Sequence, residues 1–306
     1  MKMKVNAKKM VLMIIGILFV LSLMNPFSFN LALTVKENNN FNLNHVQLKI
    51  SAISGRIHIN NNWSDSKTAG ICTGSGTESD PYIIENLEID GQGLGSCLLI
   101  ENSNAHFKIQ NCYFNNTGSS YYDAGIKLDY VDNGQLLNNN ATGEAFGFFL
   151  NNTNTILIVG NRLTAKRGLY IGTSSGTIMY LNDLIGQQLD MFIAIRDESA
   201  YRFFSPKKAI YTYKGNTFTQ YLGNYWSGDI SNSDNNNDGI GDTPQIYYDS
   251  YDQLIDRYPL TDQVKNYEIT SFTEGSEGMI PGYNPFLLIA IMSIISVFLL
   301  KKVRKS

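Results

Sequence analysis

A short block recurs in step through the middle of the chain, and it constrains the fold more than any other feature. Gly125-Ile126-Lys127-Leu128 returns as Gly147-Phe148-Phe149-Leu150 and again as Gly168-Leu169-Tyr170-Ile171. Each block is followed by an apolar-x-x-Asn-x-apolar element: Leu136/Asn139/Ala141, Ile158/Asn161/Leu163 and Met179/Asn182/Leu184. The Gly-to-Asn interval is the same each time, 125 to 139, 147 to 161 and 168 to 182. A period of this size, built from two-residue alternations and Gly turns, predicts a solenoid of stacked units.

The units hold strands too short to form sheets alone. Pairing each strand with its neighbour at about 4.8 Å buries the alternating apolar residues in one cylinder. Asn at matched positions then stacks amide on amide along the turn. Leucine-rich repeats share the period but need several leucines at fixed offsets, which this chain lacks. The expectation is an all-β chain: a single-stranded right-handed parallel β-helix with coils of about 21–28 residues. Earlier coils are read from Ile84/Leu87/Ile89 and from Leu98–Ile100 with Ile109/Cys112/Phe114, where Cys112 fills the Asn slot. A sixth opens at Met191-Phe192-Ile193, resumes at Tyr213/Asn216/Phe218, and is capped by Tyr221/Asn224/Trp226.

The ends predict the compartment. Lys2, Lys4, Lys8 and Lys9 precede the apolar run Met10–Met24, the pattern of a signal peptide or N-terminal anchor. Ile280–Leu300 is apolar and long enough to span a bilayer, and Lys301, Lys302, Arg304 and Lys305 follow it. The positive-inside rule puts that tail in the cytoplasm and the β-helix outside, extracellular or periplasmic. The expected organisation is 1–30 signal or anchor, 31–49 polar linker, 50–226 β-helix and 227–262 cap. A linker at 263–279, a transmembrane helix at 280–300 and a basic tail at 301–306 complete it.

The two ends hold eight of the 24 basic residues and none of the 27 acidic ones, so the middle is strongly acidic. An acidic surface repels phosphate backbones and excludes nucleic acid as a partner. Sequons at Asn62, Asn115, Asn140 and Asn151 are compatible with a glycosylated, exported chain.

Chemistry is most legible near the C-terminus. Asp234, Asn236, Asp238 and Asp242 supply side-chain oxygens, Ile240 a carbonyl and Gly239 the sharp turn of an EF-hand-type calcium loop. Position 12 is Gln245, so a downstream carboxylate, from Asp249, Asp252 or Asp256, must complete the shell. The alternative is an Asn/Asp-rich loop without an ion.

On the coil wall, Leu99, Lys127, Phe149, Tyr170 and Phe192 form an outward column. Phe149, Tyr170 and Phe192 are expected to make an exposed aromatic stripe suited to sugar rings. The alternative is a self-stacking ladder covered by an insertion. Glu101 and Asp129 fall on adjacent coils, a spacing open to a glycosidase pair, so a catalytic role stays open. Cys72 lies 12 residues before Ile84 and Cys97 12 before Ile109. That spacing predicts stacked cysteines and a Cys72–Cys97 disulfide. Three unrelated thiols are the alternative.

Two segments carry a family resemblance. Gly223-Asn224-Tyr225-Trp226-Ser227, the Asp234–Pro244 run and Asp256-Arg257-Tyr258-Pro259-Leu260 resemble the C-terminal signature of NosD-like β-helix proteins. Thr73–Asn86 resembles their first-coil signature, and the likeness spans roughly residues 55–262. It implies a β-helix of the carbohydrate-binding and sugar-hydrolase (CASH) type. It also implies a periplasmic copper-binding accessory role in maturing nitrous-oxide reductase. Pro281-Gly282-Tyr283 with the span and basic tail resembles an archaeal surface anchor. Copper is not supported by the residues: His45, His58 and His106 are scattered, and only Met179 and Met191 fall in the coils. The expected function is non-catalytic binding of a glycan or cell-envelope partner. A copper-accessory protein and a polysaccharide hydrolase or lyase are the alternatives.

Overall fold

Two-residue alternation turns every second side chain inward, and the chain winds so that these side chains share one core. The structure, a computed structural model, describes residues 52–186, 189–194, 201–227, 233–248 and 253–273. Fifteen strands join into one sheet whose pairings are parallel, the signature of a β-solenoid. Three ladders run along it. In the first, Ile57 pairs with Leu98, Leu98 with Ile126, Ile126 with Phe148, Phe148 with Leu169, and Leu169 with Met191. In the second, Ile84, Ile109, Leu136, Ile158 and Met179 stack. In the third, Ile89, Phe114, Ala141, Leu163, Leu184 and Trp226 stack. Apart from Met191, whose side chain lies outside what the structure describes, these residues are buried in one continuous core. Each buried aliphatic side chain contributes about 1.5–3 kcal/mol.

The recurring glycines have a steric cause. A Cβ on Gly125 would lie 2.8 Å from the carbonyl oxygen of Gly147, and one on Gly147 would lie 2.8 Å from that of Gly168. Backbone of the next coil occupies the space a side chain would need.

The Asn column forms as expected and is fully engaged. Asn139, Asn161, Asn182 and Asn224 are buried. The backbone N–H of Cys112 donates to Asn139 Oδ1 (3.0 Å), that of Asn139 to Asn161 (2.9 Å), and that of Asn161 to Asn182 (2.8 Å). Each Nδ2 donates to the next Asn Oδ1 and back to a core carbonyl, as Asn161 does to Leu136 (2.8 Å). Buried backbone at the turn is thereby satisfied without water.

The last coil differs from expectation. The rung following Asn182 is Asn224, which receives the Asn182 Nδ2 at 2.8 Å. Tyr213 and Asn216 instead belong to an antiparallel excursion. Thr177 and Ile178 pair with Tyr201 and Arg202, the chain leaves the coil, and it re-enters at Leu222. Ser205 pinches the neck: its N–H donates to the Leu222 carbonyl (2.8 Å) and its Oγ accepts the Leu222 N–H (3.1 Å). The excursion, Ala209–Tyr213 and Asn216–Gln220, pairs with Tyr267–Phe272 in a three-stranded sheet. Residues expected as linker after 262 therefore form a strand. This sheet has its own core, with Tyr211, Tyr213, Tyr267 and Ile269 packed against Val159 and Leu181 of the coil wall.

The disulfide is corrected. Cys72, Cys97 and Cys112 are free and buried. Residue 97 is followed by Leu98, whose register partners are Ile57 and Ile126, so Arg56 and Gly125 are the neighbours of Cys97 in the stack. Cys72 follows the short helix Trp63–Thr68, and its thiol donates toward the Trp63 carbonyl (3.8 Å). That helix and the Thr73–Asp80 loop lengthen the first coil, which breaks the equivalence that spacing suggested. The run 280–300, the N-terminal segment 1–30 and His45 lie outside the described residues. Among the described residues no helix is long and apolar enough to cross a membrane.

Candidate functional site

The outward column is in the predicted register, with Leu99, Lys127, Phe149, Tyr170 and Phe192 on successive coils. It is not an exposed stripe. Phe149 is 4% exposed and stacks on Tyr170 at 4.1 Å and 5°. The side chain of Phe192 lies outside what the structure describes. The loop before Ala124 folds back and sets Tyr122 edge-on against Phe149 (5.8 Å) and Tyr121 edge-on against buried Phe146 (5.8 Å). Covering Phe146, Phe149 and Tyr170 removes more apolar area from water than leaving them bare. The rings that reach solvent are the covering ones, Tyr121 at 42% and Tyr122 at 57%. Lys127 Nζ sits 5.2 Å from the Phe149 centroid, and Arg167 Cζ 4.8 Å from that of Tyr121. Burial raises the Tyr170 hydroxyl pKa.

A second feature was not legible in the sequence. An open groove of about 230 Å³ runs over the outer face of the second ladder. Its floor uses Asn133, Gln135, Thr155, Leu157 and Ile178 from three successive coils, and Glu78 and His106 stand at its rim. Lys108, Gln135, Leu157 and Ile178 share one outward column by register. Asn133, Thr155 and Gly176 take φ near 60° there, the left-handed turn conformation.

Glu101 and Asp129 do lie opposite one another on adjacent coils. Each is engaged elsewhere: His58 Nε2 is 2.6 Å from Glu101 Oε2, and Asn151 Nδ2 donates to Asp129 Oδ1 at 2.9 Å. Of the sequon residues only Asn62 is exposed. Asn115 and Asn151 spend their amides on Glu88 and Asp129, and the Asn140 Oδ1 is buried without a partner.

In the Asp/Asn loop, Asp234 accepts the N–H groups of Asp238 (3.0 Å) and Gly239 (2.9 Å), and Asp238 accepts that of Ile240 (2.8 Å). Asp242 turns to Asn235, accepting its N–H at 3.0 Å. Asn236 Nδ2 donates to Asp238 (3.0 Å). Tyr211 and Tyr267 hydroxyls donate to the Asp238 and Gly239 carbonyls, tying the loop to the antiparallel sheet.

Asp256, a candidate to complete a calcium shell, does something else. It is 1% exposed and ends the Asn ladder. Its Oδ2 accepts from the Asn224 N–H (2.8 Å), Asn224 Nδ2 (3.2 Å) and Trp226 Nε1 (3.0 Å), and its Oδ1 from the Tyr258 N–H (3.1 Å). Burial pushes its pKa up to about 6, and these donors pull against that rise. A Cβ on Gly223 would strike the carboxylate at 2.0 Å, which explains that glycine. The first and last of the three C-terminal signature segments thus meet: Leu260 donates its N–H to the Asn224 carbonyl (2.9 Å) and bridges Tyr225.

A family model described as periplasmic copper-binding protein (NosD) matches residues 34–229, more than half of the chain. The chain belongs to the NosD family. No curated protein and no solved structure matches it.

The described residues of this NosD-family chain do not fit copper. No group of three or more His, Cys, Asp or Glu among them could hold a metal. His58 faces Glu101, and His106 lines the groove with Glu78 as the one carboxylate among its lining residues. Cys97 donates to the Asn115 carbonyl (3.0 Å), and burial pushes its thiol up to about 12 and that of Cys112 to about 11. Neutral core thiols are poor copper ligands.

Proposed function

We propose that this NosD-family chain is a non-catalytic binding protein, exported to the periplasm or cell surface, that holds a carbohydrate of the envelope along its solenoid wall. The groove over the second ladder carries this reading. It is open, crosses three coils, and mixes amide and hydroxyl groups (Asn133, Gln135, Thr155) with apolar side chains (Leu157, Ile178). Sugar rings present the same mixture of polar edges and apolar faces. The groove is smaller than pockets that enclose drug-sized ligands, which suits a ring or two of a chain lying on the surface.

A hydrolase or lyase is disfavoured because Glu101 and Asp129 are each committed to a neighbour. The copper-accessory reading has the family description behind it and no convergent ligand set among the described residues. The Asp234–Asp242 loop, whose carboxylates do not gather on one point in this structure, is proposed to close around calcium as a structural site with the Asn236 amide and the Ile240 carbonyl as further ligands, and Ile280–Leu300 is proposed as a membrane anchor.

The test is a glycan array probed with the full chain, run beside a copper titration. Binding to a neutral glycan that falls at least tenfold in Gln135→Ala, with unchanged melting, supports the reading. Copper taken up stoichiometrically with no glycan bound overturns it.

A further inference from the structure

The Tyr121/Tyr122 face lies on the first ladder and is separate from the groove on the second. It presents two cations on an aromatic base. Lys127 Nζ is 5.2 Å from the centroid of Phe149 and 5.9 Å from that of Tyr122. Arg167 Cζ is 4.8 Å from Tyr121 and 5.4 Å from Phe146. Lys127 pairs with Phe149, and Phe149 with Tyr170 of the coil that carries Arg167. The two charges are therefore two strand spacings apart along the axis, about 10 Å.

Neither cation forms an ion pair among the described residues, whose two ion pairs are His58–Glu101 and Arg162–Asp183. Nearby carboxylates are otherwise occupied: Asp123 accepts the Ser120 N–H (3.0 Å) and Asp129 the Asn151 amide (2.9 Å). An acidic chain that leaves two cations unpaired on one rigid face has a positive spot in a negative field.

We propose that this face binds a carboxylated polysaccharide, with Arg167 and Lys127 each taking a uronate carboxylate and the rings of Tyr121 and Tyr122 flanking the sugars. Charge complementarity favours a carboxylate, which the planar Arg fork meets bidentately. The acidic surroundings disfavour polyphosphates and anionic bilayers, whose charges are packed more densely than the one carboxylate per ring of a uronate chain and would crowd the carboxylates around the spot. Aromatic bases hold both cations at fixed positions, so little side-chain freedom is lost on binding. The proposal rests on the glycan-binding reading but assigns a different face and a different sugar class.

The experiment measures binding of the full chain to polygalacturonate, to neutral dextran and to anionic phospholipid vesicles. Melting curves of every variant are recorded alongside. The expected result is polygalacturonate binding that weakens at least tenfold from low salt to about 0.5 M NaCl. It should fall at least tenfold in the Lys127→Gln/Arg167→Gln variant, persist in Gln135→Ala and be largely retained in Lys127→Arg. Should the double Gln variant fail to fold, Tyr122→Ala, whose ring is the more exposed, is read for the same loss. Equal binding to dextran, stronger binding to vesicles, or polygalacturonate binding indifferent to the folded variants overturns the proposal. Loss of neutral-glycan binding in Gln135→Ala alone reports on the groove and leaves this face standing.

Discussion

At the scale of single residues, the turn conformations carry sequence logic that Tyr130 breaks, as does Thr173 (φ 46°) one coil beyond Asn152. Asn61, Asn102 and Asn152 take φ of 54°, 53° and 49° at one corner of successive coils, and Tyr130 takes 54° at the same corner. Asn tolerates this left-handed region through its short polar side chain, whereas Tyr does not. Tyr130 is 62% exposed, so little packing offsets the strain. Tyr130→Asn should raise stability by about 1 kcal/mol in urea unfolding. Asp256 gives a second residue-level expectation. Its folded pKa of about 6 lies above the unfolded value of 3.8. Its contribution to stability is thus present in full below about pH 4 and is lost as pH rises through about 6. The pH slope of unfolding free energy across that window should lose a component of about 3 kcal/mol in Asp256→Asn. An identical slope in the two proteins would place the titration elsewhere.

The scale of elements concerns how coils approach and how the Asp/Asn loop is held. The Gly147 position has no room for a methyl group, with the Gly168 carbonyl at 2.8 Å and the Leu163 Cβ at 2.9 Å from where it would sit. Gly147→Ala should cost about 1–3 kcal/mol by forcing two coils apart, read as a lowered melting temperature with the far-UV spectrum retained. In the loop, all four carboxylate oxygens of Asp234 and Asp238 accept hydrogen bonds, three from backbone N–H groups and one from the Asn236 amide, so the turn is preordered and an ion would share those oxygens through their second lone pairs. Millimolar calcium should raise the thermal midpoint relative to chelator, the unfolding free energy gaining about 2.7 kcal/mol at a hundredfold excess over Kd. The proposed site is discarded if Asp238→Ala shifts as much as the parent. Asp256 is spoken for by the Asn ladder, so Asp249 and Asp252, outside the described residues, remain as the downstream ligand candidates.

For the whole molecule, one core threads all the coils and a second sits between the coil wall and the antiparallel sheet. The three cysteines report on the first. All are buried and protonated well above neutral pH. Mass analysis should find three free thiols that resist alkylation in the native chain and react together in denaturant. A Cys72–Cys97 disulfide in mapped peptides would contradict the register. The ladder is closed by Asp256 because each Asn hands its amide N–H onward, and the last one needs a partner that only accepts. The Asp256–Leu260 segment supplies that partner, so it is first a stopper for the solenoid.

What the sequence determined alone is whatever a local period encodes. The inward apolar columns, the Asn ladder, the Gly positions and the register of Lys127, Phe149 and Tyr170 all follow from short-range alternation repeated at matched intervals. Solenoid contacts join equivalent positions, so a repeat in sequence is a contact in space. Tertiary structure decided what the period does not reach. The loop carrying Tyr121 and Tyr122 folds over the aromatic column, and the 209–220 excursion leaves the coil to meet Tyr267–Phe272. Asp256 reaches Asn224 across 32 residues of chain. These contacts come from insertions, where no repeat marks which residues will be neighbours. Burial of rings and satisfaction of buried donors select them, and both depend on shape that exists only once the coils have stacked.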